Sequence, residues 1–345
     1  MSGLDQPIVI ANSCYHVGHE RSFRAAEEQG YLKEEGLERY VYERGGLIPG
    51  ELEAVGLGQV MWERGVDIAT AVDVRAAVSQ RARGADVYIV GGWRTQLAPT
   101  LIGAKGITGP EGLRGGKIVV REKWGLNHLG IAAALRTFGI DPEAEVEWVE
   151  NPVVAYNNQP GAGDLLRSGQ VSAIPLGGPE AKQLLADGYP IALDMETFYR
   201  SRGAWPPGKV IVATSRTVEQ RGEELRAFLR ANLRAFWYVQ DPRNRDYMHD
   251  LDNRMRLATY NEDERRLRTP SPDSEGPGTM AMDGQVPRPA LAAVIDQMVK
   301  SGELGPTIEL DDVLKDAASI DAFENLQDRG LIDPQSLAEW RRVRG

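Results

Sequence analysis

One thiol and two imidazoles fall close together in the pattern Cys14-x-His16-x-x-His19. A thiolate is a competent nucleophile, and a neighbouring imidazolium or a helix N-terminus lowers the thiol pKa enough to form one near neutrality. The spacing suits chemistry in which Cys14 attacks and His16 or His19 moves the proton. It equally suits a quieter arrangement, a small buried thiol beside hydrogen-bonded loop histidines. Cysteine and histidine are also reasonable zinc or iron ligands. A fourth ligand has no evident source beyond Glu20 or His128, however, and Gly18 separates the two histidines, so neither a metal nor another cofactor is expected.

The elements that must carry this loop are legible on either side of it. Pro7–Ala11 reads as a strand, 12–19 as a polar loop and Glu20–Gln29 as a helix that Gly30 ends in a left-handed turn. Strands follow at Arg39–Glu43, Gly65–Thr70 and Ala85–Val90, with a helix at Val72–Arg83 stopped by Gly84. A second series of strands covers Ala98–Gly103, Lys117–Arg121, Val146–Val149, Val171–Pro175 and Ile191–Leu193. Its helices are Asn127–Phe138, Gly161–Ser168 and Pro179–Asp187. Lys209–Thr214 reads as a return strand and Val218–Gln240 as one long amphipathic helix. Alternating β and α segments predict mostly parallel sheets flanked by helices.

Two series of strands with a return strand predict two lobes. The first takes 1–100 plus 209–250 and the second 101–208, with a hinge where the chain crosses. A helical segment over 251–345 packs on the first lobe and is interrupted by a Pro/Gly-rich surface loop at 269–289.

Ligands of open α/β sheets lie beyond the carboxyl ends of the strands. The loop after the first strand supplies Ser13 together with Cys14, His16 and His19. Later loops supply Thr70, Trp93, Trp124, Asn127, His128, Gly178 and Glu180. Three of the four histidines and the single cysteine therefore fall on such loops. Trp93 and Trp124, one per lobe, suit stacking on an aromatic ligand or, equally, packing. Glu180 suits the first turn of a helix as well as a ligand contact.

Composition narrows the function class. The 345 residues carry a net charge of −10, with 40 basic residues scattered among 50 acids, which argues against a nucleic-acid partner. A single cysteine excludes an intrachain disulfide. No stretch is long and apolar enough for a membrane span. The start, Met1-Ser-Gly-Leu-Asp-Gln-Pro7, has no base and no long apolar run. The expectation is a cytoplasmic protein if Met1 is the natural start, and a periplasmic one if the N-terminus was trimmed.

Several phrases resemble the solute-binding family that includes sulfonate, nitrate and taurine binders and the thiamine-pyrimidine synthases. They are Ala25-Ala-Glu-Glu-Gln-Gly30-Tyr31-Leu32-Lys-Glu-Glu35-Gly36-Leu37, then Gly65-Val-Asp67-Ile-Ala and Arg83-Gly84-Ala85-Asp86-Val-Tyr-Ile-Val90. Further on come Leu113-Arg-Gly-Gly-Lys117, Leu135-Arg-Thr-Phe-Gly139-Ile-Asp141-Pro142, Asp164-Leu-Leu-Arg-Ser-Gly169 and Asp241-Pro242-Arg-Asn244. The resemblance implies a two-lobed type II periplasmic-binding-protein fold with a small organic ligand or substrate held in a cleft between the lobes. The chain is also similar to cytosolic biphenyl-sulfinate desulfinases, which carry a nucleophilic cysteine where Cys14 stands. Their partner histidine has no counterpart in 46–65, and Arg64 alone is left there as the oxyanion-binding candidate. Two readings follow from the resemblance. One is an enzyme using Cys14, His16 or His19, and Arg64 on a small aromatic or sulfur-bearing substrate. The other is a non-enzymatic binder or metabolite sensor for a small organic anion, with an ABC permease as partner only if the natural protein is exported.

Overall fold

The computed structural model describes residues 6–13, 17–43, 65–95, 100–120, 123, 125–151, 163–202, 207–262 and 280–344. Its strands are β1 (Ile8–Asn12), β2 (Tyr40–Glu43), β3 (Ile68–Asp73), β4 (Val87–Thr95), β5 (Leu101–Gly103), β6 (Lys117–Val120), β7 (Glu147–Glu150), β8 (Ala173–Pro175), β9 (Ile191–Leu193) and β10 (Pro207–Thr214). The helices begin with α1 (Arg21–Glu28), α2 (Tyr31–Glu34), α3 (Val74–Ala82), α4 (Leu126–Thr137), α5 (Asp164–Arg167), α6 (Gly178–Ala186) and α7 (Met195–Arg202). They continue with α8 (Ser215–Gln220), α9 (Gly222–Gln240), α10 (Arg245–Thr259), α11 (Arg288–Lys300), α12 (Leu310–Val313), α13 (Ala317–Asp328) and α14 (Pro334–Arg344).

These elements form two compact units. Unit 1 comprises Met1–Thr95, Pro206–Asn261 and Pro270–Arg344; unit 2 comprises Gln96–Trp205, Glu262–Thr269 and Gly345. Each holds one five-stranded sheet of the same plan. In unit 1 the order is β2-β1-β3-β10-β4, with β1 parallel to β2 and β3, and β10 antiparallel to both its neighbours. In unit 2 the order is β7-β6-β8-β5-β9, and β5 is the antiparallel strand. Four strands therefore run one way in each sheet, so the carboxyl ends of β1, β3 and β4 share one edge of unit 1. The α/β class read from the sequence is what the chain forms.

Local chemistry sets the boundaries. Asp73 ends β3 and caps α3 by accepting from the backbone N–H groups of Arg75 and Ala76 at 3.0 and 3.4 Å, two of the donors a helix start leaves unpaired. Gly30 takes φ +76° between α1 and α2, a conformation that costs a residue with a Cβ. The stretch expected as one helix over Val218–Gln240 is instead two, α8 and α9, broken at Arg221. That buried arginine donates to Asp67 (3.2 Å), to the Gln6 carbonyl (2.9 Å) and to Glu224, and its backbone leaves helical geometry to do so. Helix α7 follows β9 without having been anticipated. The loop expected over 269–289 falls partly outside the described residues; from Met280 onward it runs along β4, and α11 starts at Arg288.

The core of unit 1 surrounds α9, whose buried residues between Leu225 and Phe236 pack against α1, α2 and α13. The C-terminal helices thus belong to unit 1. In unit 2 the two faces of the sheet carry separate clusters, one around Leu113, Ile131 and Leu135, the other around Ile174, Leu176 and Leu184. Among the described residues no helix is long and apolar enough to cross a membrane.

Candidate functional site

At the carboxyl edge of the unit 1 sheet, Ser13 follows β1 directly. Its backbone N–H donates to the Thr70 carbonyl at 3.0 Å, and its hydroxyl donates to the Ala71 carbonyl at 2.6 Å. Ala71 has φ +55°, unusual for a residue with a side chain, and sits opposite a register shift between Val210 and Val212 on β10. Ser13 therefore holds the irregular end of β3 in place. The neighbouring Thr70 is buried, and its hydroxyl reaches the Ala11 carbonyl only at a long 3.5 Å.

His19 closes a 3-10 turn, Val17–His19, that leads into α1. Its ring is half-buried and meets the indole of Trp93, on β4, at a centroid distance of 5.2 Å and an interplanar angle of 83°. Trp93 in turn meets Phe236 of α9 at 6.3 Å and 81°. The indole is 1% exposed, and its Nε1–H finds no acceptor among the described residues. A buried donor without a partner loses its hydration with nothing in return, so it marks a place where an acceptor belongs.

The unit 2 candidates divide differently. Asn127 and His128 lie in the first turn of α4. The Oδ1 of Asn127 is buried and lacks a donor among the described residues. His128 is wholly buried, its ring against Trp148 at 4.3 Å and 72°. Gly178 and Glu180 open α6. Glu180 accepts from the Arg167 guanidinium at 2.8 Å and from the Gly163 N–H at 3.2 Å, so it ties α5 to α6. Cys14, His16, Arg64 and Trp124 lie outside the described residues. Among those that are described, no group of three or more His, Cys, Asp or Glu side chains is arranged to hold a metal ion.

The structure thus brings Ser13, Thr70, His19 and Trp93 to one sheet edge, while Glu180 pairs with the exposed Arg167 and His128 packs inside unit 2 against Trp148. Sequence reasoning missed the residues that support the first group. The N–H of Val17 donates to the Tyr260 hydroxyl at 2.9 Å, and Arg21 makes a two-pronged, buried ion pair with Asp252 at 2.8 and 2.6 Å. Both contacts span more than 200 residues, and no local pattern announces them.

The architecture is shared with solved structures. A putative sulfonate transporter component from Methylobacillus flagellatus KT, the periplasmic sulfonate-binding protein SsuA, has a TM-score of 0.66 at 15% identity, over 94% of this chain and 95% of that one. The periplasmic nitrate-binding protein NrtA from Synechocystis PCC 6803 gives 0.59 at 12% identity, over 95% and 91%. The desulfurization enzyme DSZB gives 0.56 at 16% identity, over 92% and 99%. No curated protein matches the chain in sequence. At these identities the structural likeness concerns the fold. Residues 50–251, more than half of the chain, match the family model described as the NMT1-like family, and the chain belongs to that family.

Proposed function

We propose that the protein binds a small oxyanion, such as a sulfonate, a sulfinate or nitrate, at the carboxyl ends of β1, β3 and β4 in unit 1. The observation that carries this reading is the buried indole of Trp93, in ring contact with the imidazole of His19: the indole N–H has no acceptor among the described residues. An anionic oxygen supplies the missing acceptor, and the weakly held Thr70 hydroxyl offers a second donor. Ser13 has spent its only proton on Ala71, so its part is to shape the edge. Sulfonate- and nitrate-binding proteins of the same fold support the choice of an anion. The test is a thermal-shift and calorimetric panel of biphenyl-2-sulfinate, an alkanesulfonate and nitrate. Saturable binding of at least one is expected, and a panel that leaves both heat and melting point unchanged contradicts the reading.

A second reading is catalytic, and it rests on the fold shared with DSZB, a variant of which is known in complex with biphenyl-2-sulfinic acid. Here the Cys14 thiolate attacks the sulfinate sulfur of an aromatic substrate, and the carbon–sulfur bond breaks as the ring carbon takes a proton from His16 or His19. Arg64 stabilises the charge on the sulfinate oxygens, and water then releases the sulfur from Cys14 as bisulfite and restores the thiol. Cytoplasmic residence goes with this reading, and an ABC permease partner goes with export and the binding reading. Purified wild-type protein is expected to turn over biphenyl-2-sulfinate and Cys14→Ser to lose that turnover. Equal rates for the two proteins exclude Cys14 as the nucleophile.

A further inference from the structure

The turn Val17–His19, which presents His19 to Trp93, is tied to residues far along the chain. It is three residues long, and Glu20, the N-cap of α1, makes no side-chain cap. Two of those ties come from α10 and the residue just beyond it. The Tyr260 hydroxyl takes the Val17 N–H inside the protein, and the Arg21–Asp252 pair, with Asp252 2% exposed, joins the first residue of α1 to the buried face of α10. The opposite wall is held separately. The Ala281 N–H donates to the Trp93 carbonyl at 3.2 Å and the Gly92 N–H to the Gly284 carbonyl at 2.8 Å, so the backbone at Trp93 is stitched along both sides of β4. The backbone at Trp93 is therefore held independently of α10, whereas the turn that carries His19 is tied on both sides to Tyr260 and α10, at Val17 and at Arg21.

We infer that Arg21, Asp252 and Tyr260 are positioning residues for His19, setting the pose of its imidazole on Trp93 and through it the affinity for the ligand. This rests on the anion-binding reading for the affinity, but the pose can be read without any ligand. A two-pronged guanidinium–carboxylate pair fixes both distance and orientation, which an apolar contact of equal volume does not. Exchange of a buried ion pair for apolar residues is often neutral for stability, so it separates gluing from positioning.

The variant is the full chain carrying Arg21→Met with Asp252→Leu, and Tyr260→Phe is made separately because it removes one oxygen and keeps the ring. Two readouts are taken on each: the ring proton shift of His19, assigned by its loss in His19→Gln, and the affinity for whichever of biphenyl-2-sulfinate, an alkanesulfonate or nitrate binds the wild type. The expected result is a folded protein in which the ring-current displacement of His19 by Trp93 is reduced and affinity falls about tenfold in the double variant, less in Tyr260→Phe. Folded variants with the wild-type His19 shift overturn the inference, as does a moved shift with unchanged affinity. Should the double variant fail to fold, Tyr260→Phe decides by the same criteria. A wild-type protein that binds none of the three anions removes the anion-binding proposal instead, while the His19 shift still decides the positioning.

Discussion

The ring of His19 stands nearly perpendicular to the indole of Trp93, 83° between planes, and this pair joins the loop after β1 to the end of β4. The contact sets an imidazole against a buried indole whose N–H has no acceptor among the described residues. Trp93→Phe keeps an aromatic ring in the core and removes the donor. It is expected to leave a folded protein whose anion affinity is down about tenfold, the worth of a hydrogen bond to a charged group. Calorimetric titration checks it, and unchanged affinity removes Trp93 from the site.

Glu35 accepts from three guanidiniums, Arg230 at 2.9 Å, Arg234 at 2.8 Å and Arg329 at 2.6 Å, tying α9 and the end of α13 to the turn after α2. Burial pushes its carboxyl pKa up, but hydrogen bonds from Arg329, Arg230 and Arg234 outweigh this and hold it below the usual carboxylate range. With the folded value lowered, the unfolded chain takes up the proton first as pH falls. The stabilisation is whole above the unfolded value near ~4.3 and is lost as pH drops through the folded one. Glu35→Gln is expected to cost about 3 kcal/mol at neutral pH, because Arg230 and Arg329 lose a buried carboxylate and Arg234 keeps only Glu34, and the gap from wild type should narrow in acid. Denaturant titrations across pH measure both; a gap independent of pH contradicts the assignment.

Gly92 shows why β4 carries glycines beside Trp93. A Cβ there would overlap the Gln285 carbonyl oxygen and lie 2.8 Å from the Cβ of Ala281. Gly92→Ala is expected to cost about 1–3 kcal/mol by overpacking. A melting temperature equal to that of wild type would show that 280–285 yields easily.

Asn232, on α9, is buried with neither its amide oxygen nor its amide nitrogen paired among the described residues. Asn232→Leu removes two desolvated polar atoms at similar shape and is expected to raise stability by about 1–2 kcal/mol. A loss of stability on denaturant unfolding would show that the amide has a partner in solution.

What could be read from the sequence was local or periodic. Alternating strand and helix signals gave the α/β class, and a left-handed turn at Gly30 was expected because a glycine there enters φ +76° without strain. What could not be read depends on distance along the chain. Arg221 breaks a helix that its own neighbourhood favours, because Asp67 draws it inward across 154 residues. Glu180 stands in the first turn of α6, one of the two places its sequence position suited, and its pairing with Arg167 at 2.8 Å comes from a residue 13 positions away that no local pattern names. Tyr260 and Asp252 carry no motif and matter only through the fold that sets them against Val17 and Arg21.

Native mass spectrometry of freshly purified wild-type protein and Trp93→Phe, followed by release and identification of whatever is carried, bears most directly on the central proposal. The account predicts that the wild type retains or takes up a small oxyanion and that Trp93→Phe holds markedly less of it. Equal occupancy in both proteins, or a wild type that stays empty when offered sulfonates, sulfinates and nitrate, would contradict it.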